Sequence, residues 1–205
     1  MIAIVDYGVG NLFSLKSSVD SLGVESTVTS DEAVLRSADK IILPGVGAFR
    51  DAIAKLRASG LDRVVVEEAR KGKPLMGICL GMQMLFEKSL EYGEWEGLGL
   101  LKGEIVPLKG YIPEGLKIPH MGWNKLIFKK DTPLFKYIKN GDAVYFVHSY
   151  HAVGCEESLS ATAEYGSEVT ASVSLGNVHG CQFHPEKSGG VGLSILKAFC
   201  EKESI

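Results

Sequence analysis

The sequence predicts an α/β fold: a single three-layer domain with a mostly parallel central sheet, flanking helices, and additional antiparallel strands in the second half. Three observations carry this. From Ile2 to about Lys88, short apolar or β-branched runs alternate with segments whose apolar residues recur at helical spacing, the βαβ pattern of a parallel sheet covered on both faces. After Glu87 that spacing stops, and strand-like runs follow one another with little helix between them. No repeat, linker or low-complexity segment divides the chain, so residues 1–205 read as one domain.

The elements follow in order. Ile2 to Tyr7 is an apolar, β-branched strand. Gly8-Val9-Gly10-Asn11 turns tightly into a helix from Leu12 to Leu22, where Leu12, Leu15, Val19 and Leu22 share a face and Gly23 ends it. Val24 to Thr29 is a second strand, and Ser30 or Asp31 caps a short helix reaching about Ser37. Lys40 to Leu43 is a third strand running into Pro44-Gly45-Val46-Gly47. Phe49, Ala52, Ile53 and Leu56 then stand at i, i+3, i+4, i+7 of a helix that Gly60 stops, and Leu61 to Arg70 forms another. Pro74 to Ile78 is a buried strand, followed by a sharp turn at Cys79 and a helix from about Met82 to Lys88. Residues 89–97 are a polar loop rich in glutamate and glycine. Leu98 to Leu108, Trp123 to Lys129, Ala143 to Ser149, Leu159 to Tyr165, Val169 to Leu175 and Val178 to Phe183 read as strands. Gly176-Asn177 reads as a two-residue hairpin turn. A last helix covers roughly Val191 to Lys202, with Leu193, Leu196 and Phe199 on one face.

Bulk properties narrow the function classes. A chain of 205 residues buries about 70% of its extended surface and needs no disulfide or metal staple. A hydrophobic fraction of 45% and a charged fraction of 23% are those of a soluble globular protein. The net charge of −3, without a basic run, argues against nucleic acid as a partner. Met1 to Asp6 enters a strand directly, with neither the basic nor the long apolar region of a signal peptide, and no apolar run approaches the ~20 residues of a membrane span. Cys79, Cys155, Cys181 and Cys200 form no C-x-x-C pair and read as reduced thiols of a cytoplasmic protein.

The chemistry centres on Gly77-Ile78-Cys79-Leu80-Gly81. Glycines two residues to either side of a cysteine, between a strand and a helix, give the spacing of a nucleophile elbow with sulfur in place of serine oxygen. In such a turn the nucleophile's backbone is strained, and a Cβ at either glycine would strike the adjacent strand or helix. The helix N-terminus favours thiolate, and the Leu80 amide faces an oxyanion formed at the sulfur. The competing reading is a buried structural cysteine after a strand.

A base is supplied by Gln182-Phe183-His184-Pro185-Glu186-Lys187-Ser188. The preceding strand delivers His184 at its carboxyl end, and Pro185 keeps His184 extended. In an extended segment His184 and Glu186 point to one side, so the carboxylate can orient the imidazole that takes the thiol proton. His-Pro-Glu alone is also compatible with a surface turn. Pro44-Gly45-Val46-Gly47 lies at another strand end and offers a second oxyanion donor from its backbone; its plain alternative is an ordinary strand-to-helix turn. Sites of open α/β sheets form outside the carboxyl ends of the strands, where all three segments fall. Gly8-Val9-Gly10 fails as a dinucleotide fingerprint because its third glycine would fall on Phe13. His148 and His151 lack a cysteine or carboxylate to complete a metal site, and His120 and His179 read as hydrogen-bonded structural histidines.

Gly77-Ile78-Cys79-Leu80-Gly81-Met82-Gln83 together with His184-Pro185-Glu186 resembles the class I, triad-type glutamine amidotransferases. Further segments resemble one branch of them, the glutaminase subunits of imidazole glycerol phosphate synthases: Val5-Asp6-Tyr7-Gly8-Val9-Gly10-Asn11-Leu12, Pro44-Gly45-Val46-Gly47-Ala48-Phe49, Pro119-His120-Met121-Gly122-Trp123-Asn124 and Phe146-Val147-His148-Ser149-Tyr150. The similarity runs from about Ile2 to Phe199, without departure at the catalytic positions. It implies that Cys79 attacks the glutamine amide, His184 is acid and base, and Glu186 orients His184. It implies backbone oxyanion donors at Leu80 and in the loop of Val46 and Gly47. Gln83, Glu91, Ser149 and Tyr150 would contact the bound glutamine, although Glu91 lies in a loop whose bland reading is solvated surface. It implies no cofactor or metal, and a heterodimer with a separate (β/α)₈ cyclase subunit that receives the ammonia. Asn11, Trp123 and Lys187 are candidates for the docking face, with ordinary packing as their alternative. Two other functions stay open from the residues: a glutaminase serving a chorismate or nucleotide acceptor, and a catalytically silent regulatory subunit.

Overall fold

A computed structural model of the chain describes residues 1–201. Its first half alternates as predicted: β1 (Ile2–Val5), α1 (Leu12–Asp20), β2 (Ser26–Thr29), α2 (Glu32–Ser37), β3 (Lys40–Gly45), α3 (Phe49–Ala58), α4 (Leu61–Arg70), β4 (Leu75–Cys79) and α5 (Leu80–Met84). The second half holds β5 (Lys88–Ser89), β6 (Trp95–Glu96), β7 (Glu104–Pro107), β8 (His120–Lys125), β9 (Ile127–Phe128), β10 (Ala143–His148), β11 (Tyr150–Val153), β12 (Leu159–Glu164), β13 (Glu168–Leu175), β14 (Val178–Cys181) and α6 (Gly189–Cys200). Short 3-10 turns occur at Pro133–Phe135 and Pro185–Lys187.

Eight strands form the central sheet, in the order β2-β1-β3-β4-β14-β13-β12-β9. The neighbours from β2 to β14 are parallel, and β13, β12 and β9 extend the sheet antiparallel. Alternation along β1 sends Ala3 and Val5 into one core, with Leu35 of α2 and Phe49, Ala52, Ile53 and Leu56 of α3. Ile2 and Ile4 enter the other, with Leu15 and Val19 of α1 and Ile195, Leu196 and Phe199 of α6. Helices on both faces make the three layers. An antiparallel ribbon, β8 with β10, and a small sheet, β11-β7-β5-β6, sit beside this frame.

The local signals that were strong set the helices. Asp31 caps α2 by accepting from the Ala33 amide, and all four apolar residues of the α3 stripe are buried. Gly176, at φ +55°, makes the hairpin between β13 and β14.

Several expectations are corrected. The helix after Cys79 begins at Leu80 and ends at Met84, rather than running from Met82 to Lys88. The backbone beyond it has other partners: the Leu98 amide donates to Met84 O, the Glu87 amide to Gly103 O, and Lys88 and Ser89 pair with Glu104 and Ile105. The strand expected over Leu98 to Leu108 shrinks to Glu104–Pro107, because the amides of Leu98, Gly99 and Leu100 bind carbonyls at the end of the elbow segment instead of a neighbouring strand. Trp123 to Lys129 is two strands, the first starting at His120, and Tyr150–Val153 is a further strand pairing with β7. The final helix starts at Gly189 and ends at Cys200; Lys202 lies outside the described residues. Among the described residues, no helix is long and apolar enough to cross a membrane.

Candidate active site

The sheet order puts three chemically distinct strand ends side by side. In register, Gly45 of β3 lies beside Cys79 of β4, and Cys181 of β14 lies beside Ile78. The residues that follow, Val46 and Gly47, Leu80, and Gln182 to His184, therefore converge at the carboxyl edge of the sheet.

Cys79 has φ +54° and ψ −114° and is one of two non-glycine residues with positive φ among the described residues, the other being Tyr92. Such a conformation costs of order 1–3 kcal/mol and persists only where the surroundings over-determine it. Here they do. A Cβ on Gly77 would lie 2.6 Å from Met82 Cα, and one on Gly81 would lie 1.9 Å from the Leu43 carbonyl oxygen. Strand and helix therefore meet backbone to backbone, and the turn between them has no slack.

His184 is 3% exposed. Its own φ of −100° and ψ of 100° are extended, as Pro185 requires. Glu186 differs from expectation: it sits in the 3-10 turn Pro185–Lys187 and reaches back, Oε1 to His184 Nδ1 at 2.9 Å, instead of lying two residues along a strand. The turn is held by Ser188, whose hydroxyl donates to His184 O at 2.6 Å and accepts from the Tyr145 amide at 2.9 Å. Burial pushes the imidazole towards its neutral form, but the attraction of a cationic ring to the Cys79 sulfur and to the Glu186 carboxylate outweighs it and raises His184 to about 9. The imidazole is thus fixed by the carboxylate at Nδ1, on the wall of the cavity it shares with Cys79.

The other four histidines are buried and shifted the opposite way by that burial: His120, His151 and His179 to about 4, and His148 to about 3. Their folded values lie below the unfolded value near 6.5, so the stabilisation they give is present above pH 6.5 and is lost as pH falls towards 4. His184 has the reverse sign: its contribution is full below about 6.5 and is lost as pH rises through 9. The expected result is a fall in unfolding free energy between pH 7 and pH 5 of about 1–2 kcal/mol for each of the neutral imidazoles, partly offset by His184. Urea titrations at the two pH values measure it; equal midpoints would contradict four neutral buried rings.

A cavity of about 300 Å³ opens over Cys79, at the lower bound of small-molecule clefts, which run from about 300 to 1,000 Å³. Val46, Gly47, Leu80, Gln83, Glu91, Ser149, Tyr150 and His184 line it, so the structure gathers every residue expected at the glutamine and oxyanion sites. Gly47 has φ +91° with open space at its α-carbon, which lets the loop backbone approach a ligand. Leu80 opens α5, and its amide belongs to the first turn, which has no intrahelical acceptor. Glu91 is 9% exposed, not solvated surface: Oε2 accepts from the Phe49 amide at the start of α3 at 2.6 Å. Burial raises its carboxyl above the usual range, against the lowering effect of that amide. Gln83 Nε2 donates to Tyr150 O at 3.2 Å and to Gln182 Oε1 at 2.9 Å.

Pro119 and His148 also line the cavity; behind it, fully buried, Gln182 places its Nε2 3.7 Å from Cys79 Sγ. None was assigned a role from sequence. For Gln182 the signal was present: one residue past the strand beside β4, it has to stand next to Cys79. Tyr7, buried, donates its hydroxyl to Pro44 O at 2.8 Å and so pins the strand end before Val46.

The candidate docking residues share one flank. Trp123 is 59% exposed on the ribbon, edge-on to Tyr145. Its ring lies 3.8 Å from where a Cβ on Gly189 would be, next to the turn bearing exposed Lys187. Asn11, half-buried, precedes α1, which packs against that same turn. Among the described residues no group of three or more His, Cys, Asp or Glu side chains could hold a metal ion.

Comparison with known proteins agrees with this geometry. The family described as glutamine amidotransferase class-I matches residues 3–202. A protein of Oceanobacillus iheyensis named imidazole glycerol phosphate synthase subunit HisH is 52% identical over 202 residues, 98% of each chain. A protein of the same name from Caldanaerobacter subterraneus subsp. tengcongensis is also 52% identical over 202 residues, again 98% of each chain. Among solved structures, PurLQS from Thermotoga maritima superimposes with a TM-score of 0.73 at 24% identity, over 97% of this chain and 96% of that one. The glutaminase domain of a Trypanosoma brucei CTPS gives 0.66 at 17% identity, over 100% of this chain and 95% of that one. At those identities the structural likenesses speak for the fold.

Proposed function

The chain belongs to the class-I glutamine amidotransferases, and from that membership we propose that it hydrolyses the side-chain amide of L-glutamine through a thioester on Cys79 and hands the ammonia to a cyclase subunit of imidazole glycerol phosphate synthase, in histidine biosynthesis. Relatives that share half of its residues over nearly their whole length carry that subunit's name. The observation that carries the chemistry is the imidazole of His184, which shares a cavity with Cys79 and is held at Nδ1 by Glu186.

The steps follow from the atoms present. Cys79 Sγ attacks the amide carbon, and the electron pair of the C=O moves to oxygen, which the Leu80 amide and one from Val46 or Gly47 stabilise. The C–N bond breaks, with His184 giving its proton to the departing ammonia. Water then attacks the thioester as His184 takes its proton, the C–S bond breaks, and glutamate leaves with Cys79 restored. Glu186 holds His184 in one orientation throughout. Glu91 pairs with the α-amino group of the substrate, which a buried carboxylate at the cavity wall favours, and Gln83 with the Ser149-Tyr150 backbone lines the remaining pocket.

Ammonia released into neutral water becomes ammonium, which is no nucleophile, so this reaction calls for an acceptor enzyme fed through a protected path. The partner is a (β/α)₈ cyclase forming a heterodimer with this chain. Asn11, Trp123 and Lys187, on one flank near the cavity, are the docking residues of this reading. A cytoplasmic location fits the four cysteines, all free and buried.

The test is ammonia release from glutamine by the chain, with and without a cyclase subunit and its nucleotide ligand. Release that rises when cyclase and ligand are both present supports the reading. Release unchanged by the cyclase but raised by a chorismate- or nucleotide-utilising synthase would assign the chain to a different acceptor.

A further inference from the structure

We propose that a hydrogen-bond chain from Asn124 on the ribbon, through His120 and His148 to the Tyr150 carbonyl and on through Gln83 and Gln182 to Cys79 Sγ, sets the position of the nucleophile. His120 and His148 are positioning residues within it.

The directions of these bonds are forced one after another. Tyr150 O can only accept, so His148 Nδ1, at 2.8 Å, carries the proton. A neutral imidazole protonated at Nδ1 accepts at Nε2, so His120 Nδ1, at 2.9 Å, is the donor there. His120 Nε2 then accepts from Asn124 Nδ2 at 3.3 Å. The Asn124 amide is itself oriented, because Nδ2 also donates to Glu164 O at 2.8 Å and Oδ1 accepts from the Lys125 amide at 2.8 Å. Burial keeps both rings neutral at pH 7, as their values of about 4 and about 3 require.

The Tyr150 carbonyl is the junction. It receives His148 from one side and Gln83 Nε2 from the other, at 3.2 Å. The second hydrogen of Gln83 Nε2 goes to Gln182 Oε1 at 2.9 Å, which leaves the Gln182 Nε2 group turned towards Cys79 Sγ at 3.7 Å. If the Gln182 amide flips, a lone pair replaces an N–H at the sulfur. The last three contacts decide whether the sulfur meets a donor, and the first three hold the Tyr150 carbonyl from which they start, beginning on the ribbon that carries exposed Trp123.

A purely structural role for His120 exists and can be separated. Its ring is stacked between Phe146 and Tyr165, with centroids 4.8 Å and 4.1 Å away. His120→Phe keeps an aromatic ring and removes the donor. His120→Asn loses the stack and returns an N–H near the place of Nδ1. The readout is the rate of Cys79 alkylation by iodoacetamide as a function of pH on the full chain, followed by mass spectrometry of the Cys79 peptide. The expected result for His120→Phe is alkylation about tenfold slower at pH 7, with the profile moved to higher pH, while His120→Asn recovers most of the wild-type rate. The reverse order, equal slowing in both, or no change in either overturns the proposal. If His120→Phe does not fold, nitrogen NMR of histidine-labelled wild-type protein decides instead: His120 and His148 must both be neutral Nδ1–H tautomers at pH 7, and either ring charged or protonated at Nε2 overturns it.

The relay rests on the glutaminase reading for its purpose but not for its test. Alkylation needs neither glutamine nor partner, so a failed relay appears as unchanged thiol chemistry and a failed glutaminase reading as absent ammonia release in the wild type.

Discussion

Cys79→Ala is expected to lower glutamine-dependent synthesis by a complex with the proposed cyclase by on the order of 10⁴-fold or more, and to leave ammonia-dependent synthesis at the wild-type rate. The size follows from the absence of a substitute. Among the described residues, the three other cysteines are buried away from the cavity lining, so no second sulfur can take over. The fold is expected to survive, because alanine removes one sulfur atom and leaves the parallel pairing of β4 untouched. Alanine inherits the strained φ of +54°, so the variant is no more relaxed than the wild type. Steady-state rates of the reconstituted pair, with glutamine or with an ammonium salt at pH 8.5 as nitrogen source, measure both halves. Glutamine-dependent turnover above a hundredth of wild type would remove Cys79 from the role of nucleophile. Loss of the ammonia-dependent rate would show instead that the substitution damages docking.

How much of this was legible in the sequence depended on how local each determinant is. The elbow was fully legible as a turn, because its glycines are fixed by contacts with residues a few positions away and by one crossing strand. The helix after it was not. Leu85 and Phe86 suit a helix, and only the distant amides of Gly97 and Leu98 and the partners of Lys88 and Ser89 redirect that backbone. The same holds for the second half, where strands were read in about the right places but neither the order of the sheet nor the separate ribbon followed from periodicity. The contact between His184 and Glu186 was expected for a reason that proved wrong in detail: a tight turn, not strand alternation, brings the carboxylate back to Nδ1. His120 and His148 show the limit most clearly. As isolated letters His120 read as a hydrogen-bonded structural histidine and His148 as a ligand lacking the partners of a metal site, and their contact with each other appears only when two strands far from Cys79 in sequence pair beside the cavity.

Gly81→Ala is expected to be among the most destructive single methyls at the described residues, with a clash as short as any at the glycines there. The new Cβ would stand 1.9 Å from the Leu43 carbonyl oxygen, 2.8 Å from its carbon and 3.1 Å from the Pro44 carbonyl carbon. All three are backbone atoms of β3, a fully buried strand paired on both sides, so no side chain can rotate away to make room. Relief requires moving either β3, with Val46 and Gly47 at its end, or α5, with the Leu80 amide at its start. Either movement displaces one of the proposed oxyanion donors relative to Cys79. We expect a loss of more than about 3 kcal/mol of stability, a size seen where overpacking meets an immobile backbone. The molecules that remain folded are expected to lose glutamine hydrolysis by about 10²–10³, the effect of one lost oxyanion donor. Gly190→Ala is the control: nothing lies within 4 Å of its added methyl in the first turn of α6, so it is neutral or stabilising by up to about 1 kcal/mol. Urea unfolding separates the two variants, and ammonia release per folded molecule tests the second effect. If Gly81→Ala is as stable and active as wild type, contact between β3 and α5 is not what holds Cys79 at positive φ, and the strain at Cys79 needs a different origin.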